Sequence, residues 1–424
     1  MTTGLSWLCW QLVTFMVRFA HIGDPHLGSW NNHPDMRDYP LAAFREAIDV
    51  CINSGIDFII ISGDLFDTSI PSIDVIRSCF FQLRRCKENG MRVYAIPGSH
   101  DFSPTGKTIL SVAEDAGLIV NVAKTSEEKD KIKLKFTEDK TGAKITGMIG
   151  RKSCLEKSSY EILDRGIENE RGFKIFVFHS AIEKYRPVHM KEMDAIPLEL
   201  FPKNFDYYAG GHVHHRFEQQ ESGYGTIAFP GALFPTSFDE LEKCAPGFYI
   251  VRYDEKEKKL DLQWFDLSVS GVKSFRIDAE KKTAKQVEKE IKEQIEKTNI
   301  KDNIILLRVE GLLQSGLPSD IDFKAIISKA MARGARTVKR SISRLATKEF
   351  EEVSIVPDIS IDELEKKIIE EHLDKIKFST LSKDQLSAMV FDMMNVFKEE
   401  KIEGETNTVY DERIKANAKK VLGL

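Results

Sequence analysis

Apolar residues fall in short continuous runs separated by stretches of helical period. The runs are Val17 to Ile22, Phe58 to Ile61, Val93 to Ile96, Lys174 to Phe178 and Tyr207 to Ala209, each the length of a buried strand. Between the first two, Leu41, Phe44, Ile48, Cys51 and Ile52 share one helical face that ends at Gly55. A second helix carries Ile73, Ile76, Phe80 and Leu83 before Gly90. The β-branched run Phe58 to Ile61 has no polar alternation, which suits a parallel strand covered on both faces. Strand and turn signals dominate later, as in Thr226 to Gly231 and Gly247 to Val251, so parallel pairing gives way to antiparallel. The class is α/β.

The pattern restarts near Val272. A strand around Phe275 and Ile277 leads to Thr283 and Gln286, spaced as a capping box, with Val287, Ile291 and Ile295 four apart behind it. Ile304 to Val309 reads as a strand, Phe323 to Met331 as a helix ended by Gly334, and Arg336 to Leu345 as a strand. Further helix caps stand at Ser360, with Glu363, and at Ser382, with Gln385. The Ser382 helix carries Leu386, Met389, Val390, Met393, Val396 and Phe397. The expected organisation is an upstream extension over 1–15 ahead of a start at Met16, an α/β domain over 16–270, a small α/β domain over 271–356 and a helical tail over 357–424.

Composition narrows the class. The formal net charge of -5 does not announce a nucleic-acid binder, so any such binding must come from local basic patches. The 6 cysteines have no C-x-x-C spacing, and several sit in apolar patterns, as reduced core residues do. No run is long and apolar enough for a membrane span. A cytoplasmic location is expected.

Candidate chemistry follows the strands. Asp24-Pro25-His26, Gly63-Asp64, Gly98-Ser99-His100-Asp101, His179 and Gly211-His212-Val213-His214 each come at the end of one of the five runs. Open α/β sheets place their sites at such strand ends. Oxygen and imidazole donors gathered there suit divalent ions such as Mn, Fe or Zn. Two ions joined by one carboxylate can hold a hydroxide in line with phosphorus and stabilise both attacking and leaving oxygens. Asp64, with a glycine beside it, is the natural bridge, and Gly210-Gly211 would allow a sharp turn that aims His212 and His214. His33, His189 and His372 match no ligand pattern and read as ordinary histidines.

In this order the motifs D-x-H, G-D, G-x-H-D, H and G-H-x-H resemble those of the calcineurin-like metallophosphoesterases. Leu27-Gly28, Leu65-Phe66 and the small second domain with a helical tail look like its meiotic-recombination-eleven and SbcD branch, nucleases that process DNA double-strand breaks. The resemblance implies a two-sheet sandwich flanked by helices, with a small capping domain that helps bind DNA. It implies two divalent ions, manganese above all: Asp24, His26, Asp64 and His214 on one, Asp64, Ser99, His179 and His212 on the other. His100 would be the catalytic histidine, donating toward the leaving oxygen. It further implies a homodimer, a nucleoid-associated location, and a coiled-coil ABC-type ATPase partner docked on the helical tail.

Two positions depart from the family. Ser99 stands where the family has asparagine, which predicts a looser second metal site. Asp67 stands where the branch has a histidine linked to exonuclease activity, which makes cleavage of duplex ends less secure than phosphodiester cleavage in general. Gly106-Lys107-Thr108 mimics the end of a P-loop, but Asp101 occupies the position of the required glycine. For DNA, the best local candidates are Arg336, Arg340 and Arg344, which strand alternation would align toward successive phosphates; a solvated basic edge is the bland alternative. The expected function is a metal-dependent DNA nuclease, exonuclease or endonuclease, of double-strand-break repair. The alternatives are a small-molecule phosphodiesterase or phosphatase, and a weakly catalytic scaffold that binds DNA ends.

Overall fold

The computed structural model describes residues 16–102, 108–128, 130–186, 193–347, 382–399 and 407–422. The expectations for residues 1–15, His189, His372 and the Ser360 cap lie outside them.

Two six-stranded sheets form the main body. The first takes the order Lys259–Asp266, Gly247–Asp254, β1 (Met16–Ile22), β2 (Phe58–Ile61), β3 (Arg92–Ala95) and β4 (Val120–Asn121). The second runs Phe217–Glu221, Gly225–Phe229, Tyr207–Gly211, Lys174–His179, Lys144–Gly147 and Thr137–Glu138. Pairing is parallel from β1 to β4 and from Lys144–Gly147 through Gly225–Phe229, and antiparallel at the margins. The expected shift toward antiparallel pairing is found there.

Strand alternation explains the layers. Phe19, Phe58, Ile60 and Tyr94 from one sheet pack with Ile175, Val177, Tyr207 and Ala209 from the other. The opposite faces of β1, β2 and β3, with Ala20, Ile22, Ile59, Ile61 and Val93, bury Phe44, Ile48 and Cys51 of helix α1 (Tyr39–Asn53) and Cys79 and Leu83 of α2 (Ile73–Glu88). On the far side of the second sheet Phe176, Phe178 and Tyr208 pack with Tyr160 and Phe201. The architecture is a mixed α/β sandwich of two sheets with helices outside.

The register aligns the carboxyl ends of the parallel strands, Ile22 with Ile61 and Gly211 with His179. Ser62, just past β2, ties the two sheets at that edge. Its hydroxyl donates to the Gly210 carbonyl at 3.1 Å, and its carbonyl accepts from His179 Nδ1 at 2.9 Å.

The chain divides into two compact units that interleave in sequence. The larger runs through Asp278 and adds Val287–Val309 and Asp322–Ser343; the smaller joins Ala279–Gln286, Glu310–Ile321 and the residues from Arg344 onward. Strands Gly271–Asp278, Asn303–Leu313 and Thr337–Ser341 form the small sheet expected after residue 270, mostly within the larger unit. The Thr283 capping box forms, with Thr283 N donating to Gln286 Oε1 at 2.8 Å and Gln286 N to Thr283 Oγ1 at 3.2 Å. The Ser382 box forms in the same way, opening helix Lys383–Lys398, whose Leu386 packs with Met389, Val390 and Phe391. Among the described residues no helix is long and apolar enough to cross a membrane.

The expected strand from Arg336 to Leu345 is interrupted. It spans Thr337–Ser341, a turn follows at Ser343 and Arg344, and Leu345–Thr347 pairs separately with Gly311–Leu313. Arg336, Arg340 and Arg344 therefore do not share one strand face. The turn breaks the two-residue period on which that reading depended.

Candidate metal centre

The loops that leave the aligned strand ends carry the predicted residues, and they do so at a cost in backbone strain. Asp24, His26, Asp64 and His212 all have positive φ, at 44°, 42°, 46° and 78°. Such conformations are uncommon for residues with side chains and concentrate where function demands them. Neighbouring glycines are required by close approach. A Cβ on Gly98 would lie 2.3 Å from Asp64 Oδ1, and one on Gly211 would lie 2.0 Å from the Ser62 carbonyl. The expected sharp turn at Gly210-Gly211 is thus corrected. Neither glycine has positive φ; that conformation falls on His212 itself.

Asp24, His26, Asp64 and His179 are buried, and Asp64 is central. Its Oδ2 lies 3.1 Å from His179 Nε2 and 3.7 Å from His26 Nε2, and accepts from the Ser99 hydroxyl at 3.3 Å. Its Oδ1 accepts from the His100 backbone N–H at 2.7 Å. Asp24 Oδ1 lies 3.7 Å from His179 Nδ1 and 4.0 Å from His214 Nε2, and accepts from His212 N at 2.9 Å. His26 Nε2 and His214 Nε2 face each other at 3.1 Å. Three groups have donor atoms close enough to hold an ion: Asp24, His26 and His214; Asp24, Asp64 and His179; and His26, Asp67 and His100. His212 stacks edgewise on His179 with ring centroids 5.2 Å apart, and His100 stacks on His26 at 4.9 Å.

The tautomers test whether cations fit. His179 Nδ1 donates to the Ser62 carbonyl, so the neutral ring presents a lone pair at Nε2. That buried atom makes no hydrogen bond, though the Asp64 carboxylate is in reach. His214 Nδ1 likewise donates to Glu240 Oε1 at 3.1 Å, leaving its Nε2 lone pair toward His26 Nε2, free to accept the N–H of that ring or to bind a cation. The His179 Nε2 lone pair facing the Asp64 carboxylate in a buried site calls for positive charge between them. Protonation answers the same demand: burial alone would push His179 down, but the Asp64 and Asp24 carboxylates carry it up to about 10. His212, with burial and the charged His179 acting together, falls to about 3. Asp101 is driven up to about 7 by burial and by Asp64. The donor set fits hard or borderline divalent ions.

Three residues take parts that the sequence reading did not give them. Glu240 fixes the His214 ring and, against burial, is held down to about 2 by that histidine. Asp101 braces the loop by accepting from Gly98 N at 2.8 Å and Phe66 N at 3.3 Å. Asp67 Oδ1 lies 3.3 Å from His26 Nδ1, and its carbonyl accepts from His100 Nδ1 at 2.6 Å. Asp67 thus anchors His100 and stands beside His26. Asp101 lies inside a motif and Asp67 three residues past Asp64, whereas the one signal at Glu240 is the Ser237-x-x-Glu240 spacing of a capping box.

A cleft of about 590 Å³ opens beside Asp67, lined among others by Trp30, Asn31, His33, Thr236, Lys339 and Arg340. The basic residues are already engaged. Lys339 Nζ lies 3.0 Å from Asp35 Oδ1, Arg336 Nε 3.3 Å from Asp302, and the Arg340 guanidinium 4.9 Å from the Phe323 ring centroid. Arg344 belongs to the smaller unit.

Comparison with known proteins agrees with this picture. The chain is 24% identical over 279 residues to the DNA double-strand break repair protein Mre11 of Methanopyrus kandleri, covering 62% of this chain and 61% of that protein. The Mre11 of Methanococcus maripaludis is 27% identical over 246 residues, with 55% and 62% covered. That of Archaeoglobus fulgidus is 24% identical over 417 residues, with 95% and 92% covered. The chain thus spans about three fifths of the length of the first two relatives. A dimetal phosphatase from Danio rerio aligns over 59% of this chain and 96% of that one, at 10% identity and a TM-score of 0.36. The calcineurin-like phosphoesterase family model matches residues 17–216, the stretch that supplies every predicted metal ligand.

Proposed function

We propose that this protein is a metal-dependent DNA nuclease of double-strand-break repair. The observation that carries the reading is the convergence of buried histidine nitrogens and carboxylate oxygens around Asp64, in groups close enough to hold divalent ions. Asp24, His26, Asp64 and His214 would hold one ion; Asp64, Ser99, His179 and His212 the other. A divalent pair, here manganese, supplies an activated water and neutralises a scissile phosphate.

The chain's own groups do the rest. Strained loops hold Asp24, His26 and Asp64 so that little reorganisation remains when substrate binds. His100 stands exposed at the rim with Nδ1 anchored on the Asp67 carbonyl, so its Nε2 is the atom that can serve a leaving oxygen. It donates only when the ring carries both protons. The adjoining cleft, with Asn31, His33, Lys339 and Arg340 on its walls, takes the nucleic-acid strand. Arg336, Arg340 and Arg344 contact phosphate. The helices Lys383–Lys398 and Asn407–Leu422 dock a coiled-coil ATPase; the exposed Phe397 and Val409 support this role. The working form is a homodimer associated with the nucleoid. The relatives named as double-strand-break repair proteins support the assignment of DNA as substrate.

The test is incubation of purified protein with labelled linear and single-stranded DNA across Mn, Mg and Zn, with and without chelator. Manganese-dependent cleavage that the chelator stops is expected. Turnover of a chromogenic diester with no cleavage of DNA would transfer the site to a small phosphate ester. Metal-independent DNA binding without any hydrolysis would leave a scaffold.

A further inference from the structure

The short helix Phe238–Lys243 touches both the metal centre and the small sheet. Toward the centre, Glu240 accepts from His214 Nδ1 at 3.1 Å through Oε1, while its Oε2 accepts from Thr236 N at 2.8 Å and Thr236 Oγ1 at 3.1 Å. Toward the sheet, Arg308 on strand Asn303–Leu313 reaches two other carboxylates of the same helix. Its Nε donates to Glu242 Oε2 at 3.0 Å, a terminal nitrogen bonds Asp239, and the guanidinium lies 4.9 Å from the Phe238 ring centroid. Ser274 Oγ adds a bond to Glu242 Oε1 at 2.8 Å. All of these residues lie in the larger unit.

Arg308 is only 6% exposed. A cation so deeply placed is held by its carboxylates, of which it shares Glu242 with Arg276 at 3.4 Å. Arginine's fork fixes direction as well as charge, so the grip on Asp239 and Glu242 sets where the helix sits. Glu240 rides on that helix, and the orientation of a ligating imidazole depends on the group that holds its other nitrogen.

We infer that Arg308 is a positioning residue for the metal centre: by clamping helix Phe238–Lys243 through Asp239 and Glu242, it holds Glu240 against His214 and so sets the affinity of the ion that His214 binds. The inference rests on the proposal that His214 is a metal ligand. The small sheet is then a structural part of the site, and anything that displaces it loosens one metal and spares the other.

Calorimetric titration of the full chain with Mn tests this, using wild type, Glu240→Gln, Arg308→Lys, Glu242→Gln, the double variant Glu240→Gln/Arg308→Lys, and His214→Ala. Glu240→Gln, which keeps an acceptor oxygen and loses the charge, should weaken one binding step by about 10- to 100-fold, the range for altering the partner of a metal-bound histidine. Arg308→Lys, which keeps the charge and loses the fork, should weaken the same step by about 10-fold and leave the other unchanged. Glu242→Gln, a milder cut of the same clamp, should follow in direction. The double variant should match Glu240→Gln alone, because both act on one imidazole. Additive losses, weakening of both steps together, or unchanged affinity in both Arg308→Lys and Glu242→Gln would overturn the inference. Wild type and His214→Ala with the same isotherm would instead refute the metal assignment on which it depends.

Discussion

The metal centre and the basic strand Thr337–Ser341 are both rich in charge, and they handle it in opposite ways. Around Asp64, buried imidazole nitrogens and carboxylate oxygens crowd together, and the backbone is strained to keep them there. On the strand, Lys339 is paired with Asp35 and Arg340 is stacked on Phe323, while Arg336, next to the strand, is paired with Asp302. One region is organised around charge it does not itself supply. The other has largely compensated its own. Changes at the centre should therefore act on chemistry and metal, and changes on the strand only on how firmly a polyanion is held.

The largest effect expected is at the bridge. Asp64→Asn should reduce hydrolysis by at least about a thousandfold, roughly 4 kcal/mol of barrier. The amide oxygen can still accept from the His100 N–H, so circular dichroism and the melting temperature should change little. A variant with most of its turnover would break the contrast between the two regions.

A second prediction separates the centre from a histidine just beneath it. His21 is buried between Tyr207 Oη at 2.9 Å and Ser62 Oγ at 3.1 Å, and burial pushes it down to about 3, against a smaller opposing effect of the Gly210 backbone. The folded state refuses a proton that the unfolded state takes below pH about 6.5. Stability should therefore fall as pH drops from about 6.5 toward about 3, by up to roughly 1.4 kcal/mol per unit from this group alone. His21→Gln should make that acid limb shallower in denaturant melts. An unchanged slope would mean that His21 is charged in the fold.

Much of the centre was legible because ligand chemistry is local. A carboxylate or histidine directly after an apolar run is visible in the sequence, and parallel strands then bring the runs together. Glu240 was not legible. It lies 26 residues beyond His214, among other acids, in a spacing that reads as a helix cap. The strain at Asp24, His26, Asp64 and His212 was also hidden, because φ is imposed by the packing of two sheets at one edge. The basic strand failed for a different reason. Its alternation was extrapolated through Ser343 and Arg344, where a turn that no glycine or proline announces ends the period.

A smaller effect is expected on the basic strand. Arg336→Ala with Arg340→Ala should weaken DNA binding for all sequences alike and flatten the slope of log affinity against log salt by roughly 0.9 per phosphate contact. Arg344→Ala, measured separately, reports on the smaller unit. A slope that does not move would leave these arginines as a solvated edge.

The smallest effect is expected at Ser99, whose hydroxyl now donates to Asp64. Ser99→Asn should offer an amide oxygen to the second ion and shift activation to lower Mn concentration by a few fold. Lower Mn affinity in the variant would mean that this loop has adapted to serine.

The most direct measurement is the number of ions that the centre binds. Calorimetry with Mn on the metal-stripped full chain should give two ions per chain for wild type and loss of at least one for Asp64→Asn. A wild-type chain that binds none or one, or an Asp64→Asn chain that keeps both with unchanged affinity, would contradict a centre built on a shared carboxylate.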